Sequence, residues 1–179
     1  MGFDEIIQHI DFVIRAADAN SNEKVSADLG CAESWLVKNA AKNGLCIGGF
    51  HHTIDNYFVK HAFKGHGNKK QEKLRGQVAI TINDIRNIPY VLQEPDFLVY
   101  GAKNAIKNDI IIFVKNQSDG STLFVEEVRS GRNELAGNTI YKMSGTSDAY
   151  TLSRHPTLYA RNDTSTIKII DVKREIVKK

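Results

Sequence analysis

Two histidines in a basic stretch of the chain have the residue type and spacing that proton transfer beside a phosphate requires. His61 and His66 are five residues apart, inside a segment from Lys60 to Arg75 that holds six basic residues and one acidic residue, a local charge of +5. Histidine is the side chain best matched to act as a general base or acid near neutral pH. A basic cluster also attracts polyanions and steers their approach. The segment therefore indicates metal-free phosphodiester cleavage, whereas its simpler interpretation is a solvated lysine-rich loop.

A second group of four residues, later in the chain, could bind the reacting phosphate. Arg129 and Arg132 stand at the end of a predicted strand, and Thr139 and Tyr141 begin the next one. Attack by a ribose 2′-hydroxyl builds negative charge around phosphorus, which arginine stabilises by charge-assisted hydrogen bonds. Hydroxyl groups add neutral donors to the same oxygens. Because residues two apart in a strand point to one face, Thr139 and Tyr141 are expected to lie side by side.

Each of these residues also has a purely structural interpretation. A histidine at a helix end often only interacts with the helix dipole. Arg129 and Arg132 could form a surface ion-pair network with neighbouring glutamates, and such networks contribute little stability. The face shared by Thr139 and Tyr141 could be a packing face. Residue type and spacing alone do not decide between a nuclease site and these alternatives.

Two other functions have weaker signals. Ser121-Thr122 on a predicted strand before Glu126-Glu127 is compatible with an ADP-ribosyltransferase, although an ordinary strand explains the pattern without NAD. His51-His52 invites a zinc site, but two adjacent imidazoles do not easily face one ion, and a structural zinc site needs four ligands. We therefore expect no metal and no cofactor.

The composition is that of a globular domain. The chain has 179 residues, 41% hydrophobic and 25% charged, with a net charge of +3, which argues against a disordered polymer. No apolar run approaches the ~18 residues that a membrane span needs, so we expect no membrane partner. Cys31 and Cys46 are too few for a disulfide framework, and we expect reduced thiols in a cytoplasmic setting.

The order of the predicted elements, helices first and strands after, predicts an α+β fold with N-terminal helices packed on a small antiparallel β-sheet. Apolar spacing and cap residues predict helices over 3–17, 26–42, 53–65 and 84–92. Alternating and apolar runs predict strands over 78–82, 97–100, 109–115, 121–129 and 139–143. Residues 67–76 are expected to form a loop, 133–137 a loop or a single helical turn, and 166–176 a strand or a terminal helix.

Six motifs in a fixed order resemble a known nuclease family. They are Val59–Gly67 (VKHAFKGHG), Leu74–Thr81 (LRGQVAIT), Asn83–Pro89 (NDIRNIP), Glu94–Asp96 (EPD), Phe124–Ala136 (FVEEVRSGRNELA) and Thr139–Lys142 (TIYK). The series resembles the phage-type barnase–EndoU–colicin–RelE-like (BECR-fold) nuclease domains, which occur in phage head-associated proteins and at the C-termini of polymorphic toxins. By this resemblance the chain divides into an N-terminal helical segment (1–48), a nuclease core (49–146) and a C-terminal extension that packs on or completes the sheet (147–179).

The resemblance implies metal-independent RNA cleavage that leaves a 2′,3′-cyclic phosphate. It assigns proton transfer first to His61 and second to His66, and phosphate contacts to Arg129, Arg132, Thr139 and Tyr141. It also suggests RNA backbone binding by Lys60, Lys64, Lys69 and Lys70.

In biological terms, the resemblance implies a toxin that acts in the cytoplasm on tRNA or another structured RNA and is delivered as part of a larger secreted or phage protein. Such a toxin would need an acidic immunity or antitoxin protein. A module of the same fold that binds RNA or a virion protein without catalysis is the alternative.

Overall fold

A single eight-stranded sheet is the framework of the described part of the protein, and helices pack against it. The computed structural model describes residues 2–155 and 164–177. Its strands are β1 (Ser26–Cys31), β2 (His51–Asp55), β3 (Gln77–Val78), β4 (Phe97–Tyr100), β5 (Ile110–Gln117), β6 (Gly120–Arg129), β7 (Glu134–Met143) and β8 (Lys168–Asp171). The strand order is β1-β2-β7-β6-β5-β4-β8, and β3 pairs with β7 outside this path. The predicted α+β class is confirmed.

Helices occur before, between and after the strands. They are α1 (Phe3–Asp18), α2 (Ser34–Lys42), α3 (Asn56–His66), α4 (Lys69–Leu74), α5 (Ile82–Arg86), α6 (Ile88–Gln93), α7 (Ala149–Ser153) and α8 (Val172–Val177). The first helix agrees with the predicted span, and its apolar stripe of Ile6, Ile10 and Val13 is buried. Among the residues described, no helix has the length and apolar character needed to cross a membrane.

The sheet is antiparallel except for one pair of strands. β4 to β7 form the predicted antiparallel meander, in which β6 pairs with both β5 and β7. β2 runs parallel to β7, with His52 opposite Leu135. The expectation of an antiparallel sheet misses this pair because a long connection, rather than a hairpin, joins the two strands.

The two faces of the sheet have different covers. Phe124 and Ile140 belong to a core shared with α1, α2 and α3, on the side that we call the helix face. Leu123 and Tyr141 alternate with them and belong to a second core that includes Leu152 of α7. We call this side the second face. The terminal strand β8 pairs with β4 at one edge of the sheet.

The helix predicted over 26–42 is wrong in its first part, which forms β1. Ala27 and Leu29 are buried while their neighbours are more exposed, and this alternation is that of a strand. The pairing of β1 with β2 shifts between Asp28 and Gly30, where Gly30 has a φ of +107°. Asp28 is therefore a strand residue at a bulge, and it does not cap a helix.

Two predicted boundaries around α3 also change. The helix predicted over 53–65 begins at Asn56, because residues 51–55 form β2. The Asp55 side chain caps α3 by accepting a hydrogen bond from the Phe58 amide at 2.7 Å. The segment 67–76, expected as a loop, contains α4, which Asn68 caps. That helix was missed because its polar sequence has no apolar periodicity.

The later boundaries differ in similar ways. β3 is shorter than the predicted strand 78–82, because Thr81 caps α5 in a reciprocal box with Asp84. The helix predicted over 84–92 is split at Asn87 into α5 and α6. Residues 133–137, expected as a loop or a turn, mostly belong to β7.

A glycine lets α3 cross close to β7. A Cβ atom at Gly137 would lie 2.9 Å from the Ile54 Cγ2 atom and 3.2 Å from the Phe58 Cδ2 atom. This tight approach fixes α3 against the strand. As a consequence, the C-terminal residue of α3, His66, lies beside Tyr141 further along β7.

Candidate active site

A buried carboxylate holds His66 in one orientation. The Nδ1 atom of His66 lies 3.0 Å from Oε2 of Glu72 in α4, and Glu72 is fully buried. Arg75 donates to Oε1 of the same carboxylate at 2.8 Å. Because an ionised carboxylate only accepts hydrogen bonds, Nδ1 carries the hydrogen and Nε2 keeps a lone pair. In the described part of the chain nothing hydrogen-bonds to Nε2, and the His66 side chain is 20% exposed.

The rings of Tyr141 and His155 form a row of neighbouring rings with His66. The ring centroids of His66 and Tyr141 are 5.4 Å apart, and those of Tyr141 and His155 are 5.6 Å apart. We call His66, Glu72, Tyr141 and His155 the histidine cluster. Burial raises the pKa of Tyr141 far above its usual range, so this phenol keeps its proton and is available as a neutral hydrogen-bond donor.

His155 is a buried and incompletely satisfied member of this cluster. Its side chain is nearly inaccessible, and burial lowers its pKa below the usual 6.5, which favours the neutral imidazole. Its Nε2 atom lies 3.1 Å from the Met143 sulfur, while Nδ1 has no hydrogen-bond partner among the described residues. A buried nitrogen without a hydrogen-bond partner lowers the stability of the folded protein. This observation singles out His155 among the residues that contact Tyr141.

The arginines lie at the other end of the same sheet face. Arg129 is opposite Glu134 in the β6–β7 pair, whereas Tyr141 is opposite Leu123. Arg129 and Leu123 are six residues apart on β6, and β7 has a bulge between Gly137 and Thr139, so both ends lie on one face. At a rise of about 3.3 Å per residue, they are roughly 20 Å apart. Thr139 lies between these two ends, opposite Val125. The structure therefore brings His66 against Tyr141, places Thr139 two residues from Tyr141 on the same strand, and keeps the arginines apart from them.

The arginine end forms a polar cleft of ≈ 750 Å³. We call it the basic cleft, and its lining residues are Lys24, Lys107, Asn108, Asp109, Val128, Arg129, Ser130, Gly131 and Arg132. Four of these side chains are cationic and one is an acid. Arg132 is exposed and has no hydrogen-bond or ion-pair partner within residues 2–155 and 164–177. The cleft is therefore suited to a polyanion.

Carboxylates hold Arg129 in place at the floor of the basic cleft. Its Nε atom lies 3.3 Å from Glu127, and its NH1 atom lies 3.4 Å from Glu134. Partial burial opposes the charge of Arg129, but the hydrogen bonds and charges of Glu127 and Glu134 outweigh it and raise the pKa of the guanidinium. Burial likewise opposes ionisation of Glu134, while the Thr53 hydrogen bond, Arg129 and Lys24 together lower its pKa. Both groups stay charged over a wide pH range.

The other predicted site residues differ in how close they lie to these two places. His61 is exposed on α3, and no hydrogen bond, ion pair or ring contact among the described residues joins it to His66 or the arginines. Lys60 donates to the Ser21 carbonyl at 3.0 Å and is only half-exposed. Lys64, Lys69 and Lys70 are exposed around the helix ends that flank His66.

Sequence reasoning missed several residues of the site. Glu72 was counted only as the one acid in a basic segment, because α4, the helix that places it against His66, was not predicted. His155 lies in a segment where the sequence pattern is weak. Lys24 and Lys107 reach the basic cleft from loops distant in sequence. Only the isolated acid in a basic segment was a usable signal.

The adjacent histidines of β2 point to opposite faces. His52 is buried on the helix face, 2.8 Å from Glu126, whose pKa burial raises against the opposing effect of His52. His51 lies near the sheet edge, 2.8 Å from Asp28. In the described ranges no three histidine, cysteine or acidic side chains are arranged to bind a metal ion. Because Glu126 is buried against His52, the NAD-dependent alternative has no accessible glutamate at that position.

Comparison with known proteins gives one match. A family model described as phage-Barnase-EndoU-ColicinE5/D-RelE like nuclease3 matches residues 31–150, about two thirds of the chain. The matched span includes His66, Glu72, Arg129 and Tyr141, and it begins about twenty residues before the segment that the motifs indicate. No curated protein and no solved structure matches the chain.

Proposed function

The chain belongs to the phage Barnase-EndoU-ColicinE5/D-RelE-like nuclease family, and on this premise we propose that it is a metal-independent endoribonuclease. The observation that carries the proposal is the contact between His66 and the buried Glu72. A histidine fixed by a carboxylate through Nδ1, with Nε2 free, is arranged to accept and return protons without a metal. Cleavage by attack of the ribose 2′-hydroxyl requires such a proton acceptor.

His66 and Tyr141 divide the proposed chemistry. The Nε2 atom of His66 accepts the proton from the 2′-hydroxyl as its oxygen attacks phosphorus, and Glu72 stabilises the imidazolium that forms. The P–O5′ bond then breaks, and the His66 imidazolium returns the proton to the departing 5′-oxygen. The phenol of Tyr141 donates a hydrogen bond to the phosphate. Thr139 lies between Tyr141 and the arginines on the same face and can supply a second neutral donor. His61, which resemblance alone assigns to proton transfer, remains a second candidate.

Arg129 and Arg132 bind RNA phosphates in this proposal. They line the basic cleft on the same sheet face as the histidine cluster, roughly 20 Å along β7, so one RNA strand could contact both places over several nucleotides. Phosphate contacts of this kind supply affinity and register without base specificity. The exposed Lys64, Lys69 and Lys70 extend the positive surface beside His66.

We further propose that the protein is a toxin that acts on tRNA or another structured RNA in the cytoplasm. An acidic immunity or antitoxin protein that covers the Lys60–Arg75 segment would neutralise it by charge complementarity. A growth defect on expression, relieved by a co-purifying acidic partner, supports this role. Normal growth without any partner contradicts the toxin role and leaves the nuclease chemistry to be judged separately.

Product chemistry tests the nuclease proposal. The purified chain is incubated with total RNA in EDTA, and the fragment ends are probed for 2′,3′-cyclic phosphate. A matched oligonucleotide with a 2′-deoxy substitution at the cleaved nucleotide serves as the control, since it lacks the attacking hydroxyl. We expect discrete cleavage, cyclic ends and no cut at the deoxy position. Salt-sensitive RNA binding without cleavage would instead select the non-catalytic module.

A further inference from the structure

A second constellation of reactive side chains lies outside the proposed nuclease site. The Cys31 sulfur is 3.1 Å from Nε2 of His51, and Nδ1 of His51 is 2.8 Å from Oδ2 of Asp28. Because the Asp28 carboxylate only accepts, Nδ1 carries the hydrogen and Nε2 accepts from the thiol. Cys31 is therefore placed as a nucleophile, His51 as its base and Asp28 as the group that orients the base. The hydrogen-bond distances between them are those of nucleophilic catalysis.

The backbone fixes this array before any substrate arrives. Asp28 and Cys31 lie on β1 and His51 lies on the paired strand β2, with Cys31 opposite His51. The bulge at Gly30 turns its amide toward Asp28, which accepts that N–H at 2.8 Å through Oδ1. One carboxylate oxygen is thus anchored to the backbone and the other to His51. Cys31 itself is exposed.

We propose that Cys31 is a nucleophilic thiol that forms mixed disulfides with small anionic disulfides, using His51 as its base and Asp28 as a positioning residue. The sulfur attacks one sulfur of the disulfide, and the thiol proton passes to Nε2 of His51. The S–S bond breaks, and the departing thiolate takes that proton from the imidazolium. One thiol and one disulfide give a mixed disulfide and a free thiol, with no other oxidant.

The surroundings favour a disulfide that carries negative charge. The His51 amide donates to the Asn133 carbonyl at 3.1 Å, so the strand that holds His51 contacts the residue next to the exposed Arg132. Arg132 is exposed and lines the basic cleft together with three further cationic side chains. A disulfide also needs no oxyanion hole, which makes it a simpler electrophile for this array than an acyl group.

The chain supplies its own control in Cys46. This second cysteine is also exposed, and among the described residues no histidine or carboxylate bonds to its thiol. Cys46→Ser leaves Cys31 as the one thiol, and Cys31→Ser leaves Cys46. The second-order rate constant for reaction of each full-length variant with oxidised glutathione is measured at neutral pH, with mass spectrometry of the adduct. Neutral hydroxyethyl disulfide is the second probe, and circular dichroism verifies the fold.

We expect Cys31 to react at least ~10-fold faster than Cys46, a threshold below the ~10²–10⁴-fold that a positioned general base supplies. His51→Ala in the Cys46→Ser background should reduce the rate to that of Cys46, and added imidazole should restore part of it. Asp28→Glu should retain more of the rate than Asp28→Asn. The Cys31 advantage should be larger for oxidised glutathione than for the neutral disulfide.

Several results overturn the proposal. Equal rate constants for the two cysteines in the folded protein contradict an activated thiol. A His51→Ala variant that stays folded and keeps the full rate would show that His51 is not the base for Cys31. Equal preference for both disulfides contradicts the anionic class of the electrophile. None of these outcomes depends on RNA cleavage, so the inference and the proposed nuclease can fail separately.

Discussion

The two ends of the second face differ in how far their functional side chains are buried and how firmly they are held. At the histidine cluster, His66 is fixed by a fully buried carboxylate and stacked on a buried ring. At the basic cleft, Arg132 is exposed and Arg129 is held by two carboxylates in a polar hollow. Buried and oriented groups suit a step in which a proton must move along one direction. Exposed cations suit a long, flexible polyanion that must bind and leave.

This difference predicts a division of kinetic roles. Loss of a fixed proton acceptor lowers the rate of the chemical step, whereas loss of an exposed cation lowers affinity and its salt dependence. The two ends are far enough apart for their variants to be measured independently. Each variant below breaks or sharpens one side of the comparison.

The largest effect is expected for His66→Ala. Removal of the proposed proton acceptor should lower kcat for RNA cleavage by about 10²–10⁴-fold, the range of general acid–base catalysis. His9→Ala, on the exposed side of α1, is the matched control and should leave kcat unchanged. His61→Ala tests the other candidate, which the family resemblance favours and the observed contacts do not. We expect it to lower kcat much less than His66→Ala does. A His66→Ala protein with full activity would remove the histidine cluster from the reaction.

Glu72→Gln should have the next largest effect. The amide keeps the shape of the side chain but can present an N–H to His66, which disfavours the orientation with Nε2 free. We expect a lower kcat with RNA affinity near that of the wild type, and a smaller loss than for His66→Ala. The pH–rate profile of the variant is measured together with thermal unfolding. An unchanged profile and rate would show that Glu72 only supports the fold.

Arg132→Ala should weaken RNA binding without slowing the chemical step. Arg132 has no ion-pair partner in the described residues, so its removal should cost little stability. One lost phosphate contact should reduce the slope of log K against log salt by about 1. Arg129→Ala removes the ion-pair partner of both Glu127 and Glu134. It should therefore lower the midpoint of thermal unfolding as well. A salt slope equal to that of the wild type would show that Arg132 touches no phosphate.

The smallest effect concerns stability against pH. Burial lowers the pKa of His155 in the folded protein below its ordinary value of 6.5. Below that ordinary value the unfolded chain binds a proton that the folded protein does not, so His155 makes acidification destabilising, by at most about 1.4 kcal/mol per pH unit. His155→Phe should flatten the fall in unfolding free energy between neutral pH and pH ~5. Chemical denaturation at several pH values measures this, and parallel curves for the two proteins would contradict it.

The sequence predicts the sheet better than the site. Apolar runs such as Ile110–Val114 are visible locally, and hairpin signals join them, so the meander could be predicted. β1 was missed because Ser26 and Asp28 are typical helix-cap residues and aspartate is uncommon in strands, so that only pairing with β2 makes this segment a strand. Pairing of β2 with β7 and of Glu72 with His66 depends on tertiary contacts that no local pattern encodes.

The predicted site residues were chosen by type and resemblance, without distances. Thr139 and Tyr141 do share one face, as strand periodicity requires, and Tyr141 meets His66. His61 falls on the exposed side of its helix, about 140° around the axis from His66 by helical periodicity. A one-dimensional motif holds both histidines, but it cannot show which of them meets a carboxylate.

One measurement tests the division of roles most directly. A single RNA oligonucleotide is used to determine the single-turnover cleavage rate and the dissociation constant for the wild type, His66→Ala and Arg132→Ala, in EDTA. We predict that His66→Ala loses rate while keeping affinity, and that Arg132→Ala loses affinity while keeping rate at saturation. Loss of affinity alone in His66→Ala, or of saturating rate alone in Arg132→Ala, would contradict the account.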